Sequence, residues 1–305
     1  MLVRILAIAS NTYREAVRAR LLIGVFALAL ATCAYSLVVA ALSLHNELRV
    51  VADLGAASLS LYGVVIAVLL GSTSLYRELE LKTIFPILSR PVRRWEYIAG
   101  KFTGTMLTAL VFVAVDAASV LAFLGLEAGE RGRIGAASGV LLALLGAALW
   151  RARGARVYVL VPWALGAAVV MWTCAGHAGP DRQLVAAASV LALGEIAIVA
   201  AVATLFSSFS SPVLTAVFTT MVFVIGRSAD TLARLPEKVF GSTLVALGHG
   251  LARVFPNLQV YVPARPLLLG DSVWRYVATA ELHSALYAAG LLALSAIVFH
   301  RRDFA

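Results

Sequence analysis

The chain has 305 residues, of which 61% are hydrophobic and 13% charged, with a mean hydropathy of +0.92. Soluble domains carry about 45 to 50% apolar and about 25% charged residues, so a soluble globule is excluded on composition. Twenty-five Lys and Arg stand against 16 Asp and Glu, a net +9, which raises either nucleic acid or a membrane protein with basic cytoplasmic ends. Cys33 and Cys174 both lie in apolar runs, which excludes a disulfide framework and a Cys-rich metal site and reads as two packed thiols.

In chain order, the first element is an amphipathic helix. At 100° per residue Arg4, Asn11, Arg14, Glu15 and Arg18 share one arc, with Leu2, Ile5, Leu6, Ala9, Tyr13, Ala16 and Val17 opposite, the pattern of a helix lying along an interface. Leu21 to Leu44 then runs without a charge, long enough to cross a hydrocarbon core of about 30 Å and too long for a secretory signal. Further spans are expected at Leu54 to Tyr76, Phe102 to Leu126, Ile134 to Trp150, Val157 to Ala178, Leu184 to Phe206, Val213 to Ile225 and Val277 to Phe299. The expected fold is therefore all-α and polytopic, with about eight transmembrane helices in a single domain covering 1–305. Ile134 to Trp150 and Val213 to Ile225 are the short ones, a length also compatible with re-entrant or buried segments.

Charge placement bears on the topology. With the N-terminus inside, eight spans place 15 of the 25 basic residues in the cytoplasm, and short loops divide 15 to 4 in the direction the positive-inside rule requires. Omitting the hairpin of 134–178 would put the RARGAR stretch outside. The expected location is a prokaryotic cytoplasmic membrane with both termini inside, and nucleic acid is not needed to explain the charge. The segment 227–276 is broken by Pro236, Pro256, Pro263 and Pro266, the pattern of short helices at or dipping into the outer leaflet.

Catalytic signatures are missing from the sequence. Gly100-Lys101 lacks the upstream glycine of a phosphate-binding loop, no HExxH or GxSxG occurs, and the five histidines are scattered. Glu281 and His283 stand two apart on a predicted helix, so they point to different faces. No catalytic or metal-ligating residue is assigned.

What remains is the connection between the second and third spans, RELELKTIFPILSRPVRRWEYIAGK, residues 77–101, far longer than a turn requires. Glu78 and Lys82 at i,i+4 support a short helix from Arg77 to Ile84. Pro86 breaks it, and Pro91 suits the first position of a second helix. Trp95 and Tyr97 suit an interfacial aromatic belt. This helix, break, helix element reads equally as a lever for another protein and as a solvated loop.

These residues, with ATLFSSFSSP at a later cytoplasmic end and the closing FHRRDF, resemble the permease subunits of ABC-type exporters of the second export class, the branch that includes the multi-copper enzyme maturation permease. The resemblance implies a permease dimer working with two copies of a separate ATPase, which bind the ATP and Mg; the chain itself would hold no cofactor and catalyse nothing. It makes residues 77–101 the coupling segment, with Glu78, Glu80, Lys82, Thr83, Leu88, Ser89, Arg90 and Pro91 matching. The first helix resembles the family's interfacial connecting helix, and Ser207 to Pro212 its short second cytoplasmic turn. Six spans are usual in the family, so 134–178 is an extra hairpin. The outer segment 227–276 offers a docking face for a periplasmic partner, and a transmission subunit that moves no solute is the alternative function.

Two carboxylates fall in mid-span, Asp116 and Glu195, where insertion costs about 2.5 to 3.5 kcal/mol for an Asp. No Lys or Arg accompanies them in the predicted spans. They read either as a polar lining or proton relay, which would suit an ion-coupled carrier, or as interhelical hydrogen bonds. Gly100 with Gly104 and Gly135 with Gly139 are spaced for close helix packing.

Overall fold

The computed structural model describes residues 2–80, 93–152, 154–269 and 272–300. It is helical throughout, with no strand among the described residues. The helices are α1 (Leu2–Arg18), α2 (Arg20–Ala41), α3 (Glu47–Glu80), α4 (Arg94–Glu127), α5 (Arg131–Arg151), α6 (Arg156–Cys174), α7 (Pro180–Ser207), α8 (Pro212–Arg227), α9 (Ala229–Ala233), α10 (Glu237–Val254), α11 (Arg265–Leu269) and α12 (Val273–His300). Two short 3-10 turns, Gly176–Ala178 and Leu258–Tyr261, interrupt the connections. Seven of these helices, α2 to α7 and α12, are long and apolar enough to cross a membrane, and the chain is an all-α, multi-pass membrane protein.

The eighth candidate, Val213 to Ile225, falls in α8, whose 16 residues reach only about 24 Å. Pro212 opens this helix at its first position and Arg227 ends it, so the apolar run is bounded at both ends before it equals a bilayer core. The proposed extra hairpin exists as α5 and α6, 21 and 19 residues long. Trp163 Nε1 on α6 donates to Leu141 O on α5 at 2.9 Å. Only a small part of either helix is buried.

The core is a bundle of α3, α4 and α7, with α12 laid along α7. Glycines on α3 set how closely it approaches its neighbours. A Cβ at Gly63 would fall 2.4 Å from Ile196 Cδ1, and one at Gly71 2.4 Å from Ala203 Cβ, so Gly63 seats the Ile196 side chain and at Gly71 α3 and α7 touch almost backbone to backbone. Large apolar side chains such as Leu142, Val169, Leu286 and Ile297 point outward, as lipid rather than water would require.

Helix α1 lies against the start of α4. Gly100 receives Ile8 and Gly104 receives Ala9 and Thr12, so this expected close-packing pair is one. Gly135 and Gly139 meet nothing within 4 Å and are not a packing stripe among the described residues. Tyr13 is fully buried, its hydroxyl donating to Val157 O at 2.9 Å. The end of α12 arrives at the same place, because Arg94 Nη1 donates to Phe299 O at 2.9 Å. We call the face that holds α1, the base of α4 and the end of α12 the proximal face, and the opposite one distal.

Candidate functional site

On the proximal face, the site anticipated from sequence is described in part. Glu78 and Glu80 belong to the last turn of α3, which runs unbroken from the span; the expected separate helix starting at Arg77 is thus a continuation of α3. Lys82, Thr83, Leu88, Ser89, Arg90 and Pro91 lie outside the described residues. The helix leading into the third span begins at Arg94, not at Pro91, with Glu96 reaching back to accept from the Arg93 N–H at 3.1 Å.

Around that start sits a compact joint. Buried Glu96 pairs with Arg4 of α1 at 3.7 Å. Tyr97 is 1% exposed and stacks on Phe299 of α12, ring centroids 6.2 Å apart and planes 14° from parallel; it is a packed core residue, not a member of an interfacial belt, whereas Trp95 is half exposed. Burial, then the neighbouring Tyr158 phenol, pushes Tyr13 up to about 12, so it stays a hydrogen-bond donor. Beside the joint, a cavity of about 600 Å³ opens between α1 and α3, lined by Arg14, Glu15, Arg18, Thr73 and Thr105.

Inside the bundle the two mid-span carboxylates have separate surroundings. Asp116, fully buried on α4, accepts from Ser58 Oγ of α3 at 3.1 Å and from Cys33 Sγ of α2 at 3.5 Å. Glu195, fully buried on α7, accepts from Ser60 Oγ of α3 at 2.6 Å. Ser58 and Ser60 are two residues apart, about 200° around the helix, so α3 stands between the carboxylates and they do not form a dyad.

Glu195 is not alone, contrary to the expectation from the sequence. Arg227, the last residue of α8, donates from Nη1 to Glu195 Oε1 at 2.6 Å and from Nη2 to Ser60 Oγ at 3.0 Å. Because α8 is short, its final residue stops level with the middle of α7 rather than at the distal surface. The signal was readable: a lone Arg closing an apolar run too short to span. For Asp116 the described donors are all neutral, as expected.

Above this ion pair a cavity of about 450 Å³ reaches toward the distal face, lined by Asp53, Ser60, Arg227, Tyr261 and Arg265 among others. At its rim Arg265 bridges Asp53 of α3 and Asp181 of α7. Each guanidinium of the cavity thus faces a carboxylate already, so the chamber is no anion trap; it is a largely apolar vestibule in which α3 is tied to α7 by the Arg265 ion pairs at the rim and by Ser60 hydrogen bonds to Glu195 and Arg227 at mid-depth. Burial pushes the Tyr261 phenol up to about 12, and its hydroxyl donates to Ala280 O at 3.1 Å. Ser284 Oγ of α12 donates to Gly194 O at 2.7 Å. Glu281 and His283 take different partners, as their spacing predicts: His283 Nδ1 lies 3.2 Å from the Tyr261 hydroxyl, and Glu281 lies against Gly194 with Oε1 unpaired.

A third cluster ties α4, α5 and α6 together distally. The carboxylate of Glu130 accepts from the His177 N–H at 2.6 Å and from Arg133 Nη1 at 3.1 Å. Those bonds, the His177 backbone first, hold it below the usual carboxylate range. Among the described residues no group of three or more His, Cys, Asp or Glu is placed to hold a metal. No protein-family model matches the chain, and a search of curated proteins finds no match.

Proposed function

We propose that the chain is the membrane-spanning permease subunit of an ATP-driven exporter, located in a prokaryotic cytoplasmic membrane with its proximal face inside. It would pair with a second permease copy and two ATPase subunits. The observation that carries this reading is the joint at the base of α4: the helix leaving the connection 77–101 is locked at once to α1 through Glu96 and Gly100, and to α12 through Arg94 and Tyr97. A displacement delivered to that connection reaches three helices together, which is what a separate motor subunit needs from a membrane partner. Glu78, Glu80, Lys82, Thr83, Leu88, Ser89, Arg90 and Pro91 are the proposed docking residues.

A carrier built on Asp116 and Glu195 acting together is disfavoured, since α3 separates them and Arg227 answers one of the two. A transmission subunit that moves no solute has one observation in its favour: α10 leaves Val239, Phe240, Leu244, Leu247 and Val254 exposed near the distal face, a surface suited to an outer partner. Vesicle transport assays separate these two.

The direct test is purification of the tagged chain from its native membrane in mild detergent. An ATP-hydrolysing subunit should co-purify, and Glu80→Arg should abolish its association while the permease elutes as a single folded species. Failure of any ATPase to co-purify, or full retention by the Glu80→Arg variant, overturns the proposal.

A further inference from the structure

Between α4, α6 and α7 lies a third cavity, of about 310 Å³, that the transport reading does not use. Its walls include Leu110, Val113 and Leu121 of α4, Leu165 and Trp172 of α6, and Leu193 of α7. The single hydroxyl in it, on Ser189, donates back into its own helix at 2.7 Å, to Val185 O, so the lining asks for no polar guest. From Leu110 to Leu121 it extends roughly 16 Å along α4, from the middle of that helix toward its distal end. This equals half of a hydrocarbon core of about 30 Å.

The mouth has different chemistry. Trp172 and Trp274 flank it, and the guanidinium of Arg182 lies 4.6 Å above the Trp172 ring. Stacking holds a guanidinium by its face and leaves its N–H edge to bind an oxyanion. The neighbouring carboxylates are committed: Asp181 to Arg265, and Glu130 to His177 and Arg133. Arg182 itself makes no ion pair among the described residues.

We infer that this groove binds an anionic phospholipid of the distal leaflet, one acyl chain between α4, α6 and α7 and its phosphate on Arg182. An apolar slot of half-bilayer depth, open to the lipid phase and with one cation stacked on an indole beside its mouth, matches that amphiphile in both length and charge. The lipid fills the space between α7 and α6, whose own contact with the core is chiefly through α4. The inference rests on the membrane-spanning fold alone and stands whether or not the chain is an exporter subunit.

Native mass spectrometry of the chain purified in detergent, with phosphatidylglycerol or phosphatidylcholine of equal chain length added, tests it. One phosphatidylglycerol should be retained in preference to phosphatidylcholine. Arg182→Gln should reduce that preference about tenfold, the loss of one charge-assisted hydrogen bond. Ala168→Phe, which fills the groove from α6, should abolish retention of both lipids, and Arg131→Gln, an exposed cation outside the groove, should change nothing. Equal retention of the two lipids by the unmodified chain overturns the inference, as does wild-type retention by Ala168→Phe or loss of a permease dimer in that variant, which would assign the slot to a second copy. Should Ala168→Phe fail to fold, phosphatidylglycerol carrying a photoreactive acyl chain decides on the unmodified chain: label concentrated on α6 and α7 supports the site, and label spread over all lipid-facing helices refutes it.

Discussion

Replacing Arg227 by Gln leaves Glu195 as an uncompensated carboxylate in a fully buried position, with Ser60 as its remaining partner. Breaking a buried pair from one side costs about 3 to 5 kcal/mol, most of it the stranded charge. The converse change, Glu195→Gln, strands a cation whose side chain is 27% exposed and lines a vestibule open to the distal side. Water can hydrate that guanidinium, so the cost is the lost charge-assisted hydrogen bonding, about 1.5 to 3 kcal/mol. Changing both residues to Gln removes both charges and should recover most of the Arg227→Gln loss, a coupling of opposite sign to the single effects. Reversible unfolding in mixed micelles, titrated with a denaturing detergent, measures all three variants against the parent. The reasoning is refuted if Glu195→Gln costs as much as Arg227→Gln, or if the double variant equals the sum of the singles.

Gly71→Ala places a methyl 2.4 Å from Ala203 Cβ; α3 and α7 must part, costing about 1 to 3 kcal/mol in the same unfolding assay. Glu96→Ala removes both the cap on the α4 N-terminus and a partner of Arg4, about 1 kcal/mol, and should speed proteolytic release of α1 without altering the other helices. Because its native bonds hold Glu130 below the ordinary carboxylate range, the unfolded chain takes up that proton first as pH falls past about 4. The distal clamp is therefore fully stabilising at neutral pH and weakens with acid below that range. Glu130→Gln should flatten this part of the stability profile, and an unchanged acid slope counts against the clamp.

The long spans were legible because each is a long apolar run, broken by at most one carboxylate and bounded by charged or polar residues, and lipid imposes few other solutions. Helix α8 was harder, since a mostly apolar run of 13 residues, 213–225, between Pro212 and Arg227 satisfies neither a span nor a soluble helix. Its pairing with α7 was signalled only by Arg227 closing a run too short to span; which carboxylate it meets depends on the depth at which the helix stops and on how it packs. The α3 contacts were equally hidden. Gly55, Gly63 and Gly71 recur every eight residues, a step that drifts about 80° around a helix, and accordingly Gly55 faces Val120 of α4 while Gly71 faces Ala203 of α7. A spacing of four marks Gly100 and Gly104, which do pack against α1, and equally Gly135 and Gly139, where no neighbour comes within 4 Å. Tyr97 misled for a related reason: an aromatic near a membrane surface suits the interface until another helix, here the end of α12, arrives to cover it.

The distribution of ties bears on how such a bundle would move. α3 and α7 are joined by glycine contacts along their length, by Glu195, Ser60 and Arg227 at mid-depth and by Arg265 at the distal rim, so they form one stiff body. At the proximal face α1, the base of α4 and the end of α12 form another, fastened by Glu96, Arg94 and Tyr97. Between the two lies the roughly 600 Å³ cavity bordered by Thr73 of α3 and by α1. Force entering through 77–101 would pull on both bodies, because α3 supplies one end of that connection and α4 the other. Relative motion should then appear as opening or closing of that cavity, with the distal ion pairs intact. Thiol crosslinking of cysteines placed at Arg14 and Thr73 follows that distance, and a rate that is the same with and without a hydrolysable nucleotide on the proposed ATPase would show that the two bodies do not move against each other.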